Sequence, residues 1–464
     1  MGRRHSSLAG WVAIAARNTY PGAAEPVLPP LENMRLVLAP ALLVLASACS
    51  SSTFRDYPDT AMAGVRAWEQ GRFDAAAKQF GRIQELDEDD AFLAYAETGM
   101  VWHVANQPER AVQAWLLADK KLKSFNDRPT ISGRSITEGL ESMILNDKAI
   151  PYDGEDFEVA LLHGLMAWDY LRMGKLDDAM VEVLRGYHIE EVAEERYDTQ
   201  YGMNRFARFV AALVQEVDAN FDEAELDLSI LAEDIPSHPS VDYSLKRVKR
   251  LQSADGAAER QLAQLIVVHE ASRMPRKIAV EHRYHTGRSS GRISVPKFGF
   301  PPPALLGVQV SVDQDHVGNT VLLENVLHVA RENLDDRMAW TLAKSVGRAA
   351  AKTILIDKAA KKVKKDRGDG MGFLVSVVGS LLQFATERAD LRSWISLPQS
   401  IEVLRVPIAA GEHEISLQIP GGKNVMLGKH SFKPGKPVLI TVRTLRQRVY
   451  TQIGPMAASD TIQP

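Results

Sequence analysis

The chain has 464 residues, 45% hydrophobic and 25% charged, ordinary globular values that exclude a disordered or fibrous chain. A single cysteine excludes a disulfide framework, and a net charge of -4 excludes the strongly basic balance of a nucleic-acid binder. That small net charge conceals two opposed halves: 53–250 carries 22 basic and 38 acidic residues, whereas 251–464 carries 29 basic and 19 acidic. Halves of opposite sign argue for two domains with different surfaces, the basic one suited to anionic partners or lipid headgroups.

Residues 1–33 read as an upstream extension, with translation starting at Met34. From Met34 a single basic residue, Arg35, precedes the apolar stretch Leu36 to Leu45 and the small residues Ala46, Ser47 and Ala48. This order is that of a cleaved signal, 34–48, and Cys49 directly behind it makes it a lipoprotein signal, with Ala46 where a leucine is usual. Pro40 and the shortness of the run exclude a membrane span, which needs about 20 apolar residues. Cys49 is then the lipid attachment site. Ser50 in place of an aspartate directs such a protein to the outer membrane, so the rest of the chain is expected to face the periplasm.

Residues 49–256 carry internal repeats. Gly64, Ala67, Trp68, Gly71, Phe73, Ala76 and Phe80 recur as Gly99, Trp102, Asn106, Ala111 and Trp115, then as Ala167, Tyr170, Gly174 and Ala179, and finally as Ala212, Ala219, Phe221, Ala224 and Leu228. The pattern resembles the tetratricopeptide repeat, two helices of about 34 residues in which small side chains let the helices approach. Such repeats line a concave groove with their first helices, which makes Trp102 and Tyr170 candidates for partner binding. The stretch 124–158 departs from the repeat: a helix over Ile136 to Leu145 is expected inside the solenoid, followed by a loop crossing the groove. In that loop Tyr152, Asp153, Glu155 and Asp156 are the leading partner-binding candidates. Its acids lack the Asp-x-Asp-x-Asp-Gly order of a calcium loop, so they are read as a helix cap with solvated carboxylates, and no metal is expected.

Past Gly256 the period changes from helical to alternating. Residues 257–330 form a β-rich block with strands near 264–269, 277–282 and 305–312, and 393–455 form a second with strands near 401–406, 413–419 and 438–443. The helical insertion 331–392 between them holds a lysine-rich helix, 338–365, and an uncharged run from Met371 to Ala385; it reads as an excursion whose apolar helix packs on the sheets while its lysines are solvated, with weak contact of 338–385 with a membrane surface as the alternative. The fold class expected is α+β: a tetratricopeptide-like α-solenoid, then an antiparallel, sandwich-like β-rich domain with a helical insertion.

Three strings, Pro151-Tyr152-x-Gly154-x-Asp156-Phe157-Glu158, Ala389-Asp390-Leu391-Arg392-Ser393-Trp394-x-x-Leu397-Pro398 and Ala410-Gly411-Glu412-His413, resemble those of a family of uncharacterised bacterial outer-membrane lipoproteins with repeat helices first and a β-rich end. The resemblance covers most of 49–450 and implies no known activity. Genes of that family stand near lipoproteins tied to peptidoglycan synthase activation, which implies wall assembly.

Chemistry is not legible in the sequence. His282 and His285 are spaced to opposite faces of a strand, which argues against zinc. Gly287 to Gly291 lacks the Gly-x-Ser-x-Gly elbow, and no phosphate loop occurs. Trp394 reads as a core plug beside a buried Asp390–Arg392 pair. The function expected is a noncatalytic scaffold, without cofactor, that binds an envelope protein through its groove, the outer membrane through its anchor, and no nucleic acid. The alternative is a glycan-handling or wall-modifying factor with an undetected active site, which an acidic dyad in a cleft would favour.

Overall fold

The computed structural model describes residues 57–86, 88–126, 151–197, 203–253, 256–286, 289–335, 389–446 and 448–454. All of these fall in one compact unit of the chain. The signal 34–48, Cys49, the helix expected at 136–145 and all but the ends of the insertion 331–392 lie outside the described residues.

The helices are α1 (Tyr57–Glu69), α2 (Phe73–Leu86), α3 (Ala91–Val104), α4 (Pro108–Asn126), α5 (Asp156–Arg172), α6 (Leu176–Tyr197), α7 (Arg205–Val217), α8 (Phe221–Asp234), α9 (Pro239–Gln252) and the short α10 (Gly256–Gln261). The first eight form four hairpins with one turn geometry. Gly71, Asn106, Gly174 and Ala219 all take a positive φ, between 56° and 72°. The next residue in each turn sends its N–H back to the carbonyl five residues earlier: Arg72 to Ala67, Gln107 to Trp102, Lys175 to Tyr170 and Asn220 to Gln215. This left-handed cap satisfies carbonyls that the end of a helix leaves open, and it points the second helix back along the first.

Packing follows the same register. Seven residues before each turn stands a small residue, Gly64, Gly99, Ala167 or Ala212, and Gly64 meets Phe80 and Gly99 meets Trp115 on the second helix; Val183 and Leu228 hold the equivalent places in the third and fourth hairpins, and all are buried. The approach is close: a Cβ on Gly64 would lie 2.8 Å from the Phe80 ring, and one on Gly99 only 2.2 Å from Trp115. Ala76, Ala111, Ala179 and Ala224 fill the matching positions on the second helices and are fully buried.

The strands are β1 (Ala263–Ala271), β2 (Lys277–Thr286), β3 (Ser289–Phe298), β4 (Gln309–Val312), β5 (Asp315–Asn319), β6 (Val321–Glu324), β7 (Ser400–Ile408), β8 (Gly411–Ile419), β9 (Lys423–Phe432), β10 (Pro437–Leu445) and β11 (Arg448–Gly454). They form a five-stranded sheet in the order β11-β10-β1-β7-β6, a four-stranded sheet β5-β4-β8-β9 and the hairpin β2-β3. The expectation of purely antiparallel sheets is corrected in one place: β1 and β10 run parallel. Some 165 residues of sequence separate them, so no hairpin turn dictates their direction.

The five-stranded sheet is covered on both faces. Ile266, Val268, Ile401, Val403, Leu439 and Leu445 face the helices and share one core with them. The alternate residues Leu265, Val267, Leu404, Ile440 and Val442 pack against Val310, Val312, Ile415, Leu417 and Ile419 of the second sheet. The molecule is therefore α+β, helices on sheet on sheet, which explains why β1 is buried along its whole length and its middle reads as a continuous apolar run. Helices give way to strands between Gln261 and Ala263, and a single core crosses that change.

The close approach at Gly99 generates a paired test. Gly99→Ala should destabilise the protein by about 1–3 kcal/mol through overpacking against Trp115. Gly81→Ala, in α2 with open space around the new methyl, should stabilise it by about 0.5–1 kcal/mol through helix propensity alone. Urea melts of the two variants read both signs.

Candidate functional site: a groove filled from within

The loop named by the sequence lies inside the molecule. Pro151 to Glu155 leads into α5, whose start is capped by its own acids: Glu158 accepts the Glu155 N–H at 3.1 Å. The expectation of a helix cap holds for Glu158, but the expectation of solvated carboxylates does not, since Glu155 and Glu158 are both buried. Tyr152 is buried as well and donates its hydroxyl to Glu158 at 2.7 Å, while Lys277 on β2 donates to Glu155 at 2.7 Å. Asp156 is half-buried and Asp153 is exposed. Trp102 is buried with the Arg110 guanidinium 3.2 Å above its ring, and Tyr170 is buried at the end of α5. The structure thus brings Tyr152, Glu155 and Glu158 together and leaves Trp102 and Tyr170 apart from them.

Between two of the hairpins the chain itself fills the space. The segment 389–399 returns between the first helices of the second and third hairpins. Two carboxylates hold its backbone: Glu97 on α3 accepts from Ile395 N–H at 2.7 Å and Ser396 N–H at 3.2 Å, and Glu158 on α5 accepts from Trp394 N–H at 2.8 Å. Trp394 is buried with its ring edge-on to Trp115, and its indole N–H donates to Ser396. Arg392 pairs with Asp390 at 2.7 Å and reaches Asp90 at 3.5 Å, with Tyr152 beneath its guanidinium. Trp394 as a plug beside an Asp390–Arg392 pair is thus the arrangement in the fold. Burial raises Glu97 and Glu158 to about 7, against the hydrogen bonds that favour their charged forms, and Glu155 adds to the rise at Glu158.

Beside this segment a chain of alternating charges joins helices to sheet. Asn106 accepts from Arg172 at 2.7 Å, Arg172 donates to Asp169 at 2.8 Å, and Asp169 receives His103 Nδ1–H at 2.9 Å. His103 Nε2–H donates to Glu270 on β1 at 3.0 Å, and Glu270 receives Arg443 of β10 at 2.9 Å. Burial alone would depress the imidazole, but Asp169 and Glu270 on its two sides outweigh that and raise it to about 9. Burial likewise pushes Glu270 up, and His103 with Arg443 pulls it down to about 2. The five charged side chains are all fully buried, so the arrangement holds charge in place and offers none to solvent.

Similar pairs cross the same interface elsewhere. Glu69 meets Arg273 at 2.8 Å, Glu155 meets Lys277, and Glu216 meets Arg405 at 2.6 Å. The acidic half and the basic half of the sequence are therefore complementary inside one molecule, which corrects the reading of the basic excess as a surface for anionic partners alone. On the other face of β1, His269 bridges Glu402 at 2.8 Å and Thr444 at 2.9 Å, and Glu402 also accepts from Thr320 and Gly307. Neighbouring positions 269 and 270 thus each start a buried polar network, one per face.

The sequence reading missed Glu97, His103, Asp169, Glu270 and Arg443. A signal for two of them was present: α3 is apolar all round except for Glu97, Thr98 and His103, the composition of a helix with no solvated face, in which a charge has to be paired. Among the described residues, no group of three or more His, Cys, Asp and Glu is placed to hold a metal ion. Compared with known proteins, the chain matches no family model and no curated protein sequence.

Two tests follow from these charges. Glu97, Glu158 and Glu324 are all raised to about 7, and His103 to about 9. Each keeps a proton in the folded chain at pH values where the unfolded chain has lost it, so their contribution falls as pH rises, through about 7 for the carboxyls and about 9 for His103. Glu270 acts in the opposite sense, losing its contribution as pH falls towards about 2. Thermal melts should show highest stability near pH 5 and a decline up to pH 9, and His103→Gln should flatten the decline above pH 7 and cost about 3–5 kcal/mol by removing the cation between two buried carboxylates, each left with one arginine. The second test separates the halves: 53–253 expressed alone should bind ANS and melt without a sharp transition, whereas co-expression with 256–464 should restore a single cooperative melt.

Proposed function

We propose that the chain is a noncatalytic, lipid-anchored scaffold of the bacterial outer membrane that faces the periplasm and holds an envelope protein during wall assembly. The anchor rests on the order Arg35, Leu36 to Leu45, Cys49 and Ser50. The four hairpins, with one turn geometry and one spacing of small residues, support a tetratricopeptide-like reading of the helical part, and the two stacked sheets support a sandwich-like reading of the rest. Repeats of this kind act by presenting extended surfaces.

One observation carries the reading and moves its binding surface. The inner face is taken by the chain's own sheet and by 394–396 under Glu97 and Glu158, so a partner is met on the second helices, where Leu116 and Leu117 of α4, Val181 and Leu184 of α6 and Leu226 of α8 are exposed. Large apolar side chains left in solvent on neighbouring helices are the ordinary material of a protein interface.

A photoreactive amino acid at 117 or 184, introduced in living cells, should give a discrete adduct with one envelope protein. Leu117→Glu with Leu184→Glu should abolish that adduct with little change in melting temperature, and absence of any adduct from these positions would remove the scaffold reading. Labelled palmitate should enter the wild type and not Cys49→Ser, which should move to the soluble fraction; an unlabelled wild type would remove the anchor.

A further inference from the structure

The second sheet turns one face to the first and the other to solvent. On β8, Ile415, Leu417 and Ile419 are buried while Glu412 and Gln418 are exposed, and β4 alternates in the same way. Across the outer face the register sets Asn319 of β5 opposite Gln309 of β4, Gln309 opposite Gln418 of β8, and Gln418 opposite Asn424 of β9. All four side chains are exposed. With neighbouring strands about 4.8 Å apart, these carboxamides form a row about 14 Å long that touches every strand of the sheet. In the next row stand His316, Ser311, Ser416 and Met426, the last 62% exposed.

Strand physics alone does not favour such a row. Asparagine is depleted in strands, and exposed cross-strand positions are stabilised by β-branched, aromatic or oppositely charged pairs. Charged pairing occurs on this sheet further along β8 and β9, where Glu414 stands opposite Lys429. The two rows nearest the β8–β9 turn are neutral and rich in hydrogen-bonding groups.

A carboxamide carries two N–H donors and a carbonyl acceptor in one plane, the complement of an acetamido group and of sugar hydroxyls. Met426 and His316, beside the row, offer a soft apolar surface to the C–H face of a sugar ring. A polyanion would need a cluster of Lys and Arg, and a protein partner would need several large apolar or aromatic side chains together. Neither kind of cluster stands in the two rows, where Met426 is the one large apolar side chain.

We infer that the outer face of the second sheet binds an uncharged polysaccharide bearing acetamido groups, laid along the row Asn319, Gln309, Gln418, Asn424. This site lies on different residues from the scaffold surface on α4 and α6 and stands or falls independently of it.

The test is calorimetric titration of the full chain with chitohexaose, and with cellohexaose, which carries hydroxyls but no acetamido groups. The wild type should bind chitohexaose saturably and cellohexaose about tenfold more weakly. Gln309→Thr with Gln418→Thr should weaken chitohexaose binding by about tenfold, the loss of two or so hydrogen bonds. Threonine favours strands, so the variant should melt no earlier than the wild type, which separates lost binding from lost folding. The inference is overturned by a wild type that does not bind chitohexaose, by equal affinity for the two sugars, by a double variant that binds as the wild type does, or by a wild-type self-association that the double variant abolishes.

Discussion

The interaction on which the rest depends is the buried chain of alternating charges that joins the helices to the five-stranded sheet, with His103 at its centre. Each charge in that contact is costly to bury and is tolerated because another charge faces it: His103 stands between Asp169 and Glu270, and Arg443 and Arg172 close the two ends. A hydrophobic contact permits one helix to slide along its neighbour with little penalty. A chain of hydrogen-bonded charges does not, because a slip of one residue would leave a carboxylate facing hydrocarbon. The second and third hairpins are therefore held in one register against β1 and β10, and the pairs Glu69–Arg273 and Glu216–Arg405 tie the first and fourth hairpins to the same layer.

The same rule governs the gap between the second and third hairpins. It is closed by 389–399, with Trp394 as its plug and two carboxylates, Glu97 and Glu158, receiving its main chain. Tyr152, which would otherwise look like a recognition residue, lies in the core as the donor that orients Glu158.

With the interior committed, the surfaces left for recognition are of two kinds. The second helices carry isolated large apolar groups, whereas the outer sheet carries a neutral row of amides flanked by hydroxyls. The first suits a protein and the second a polar polymer.

Much of the helical part was legible in the sequence because it rests on local rules. Gly71, Asn106 and Gly174 mark turns that require a left-handed residue, and Gly64, Gly99 and the alanines mark places where a second helix passes close by. The alternation of β7 and β10 and the short apolar run of β1 marked strands, and Trp394 before Pro398 marked a plug. What the sequence by itself left undecided is what each face meets. Period-two alternation says that Glu270 and His269 point opposite ways but not that both sides are buried, and a count of charges says that the halves differ in sign but not that they face each other. Those are long-range pairings, His103 to Glu270 across 167 residues and Glu97 to Ile395 across 298, and no local propensity encodes them. Only the tertiary structure decided them, because a buried charge acquires its partner from whichever distant strand the packing of the core brings within hydrogen-bond reach.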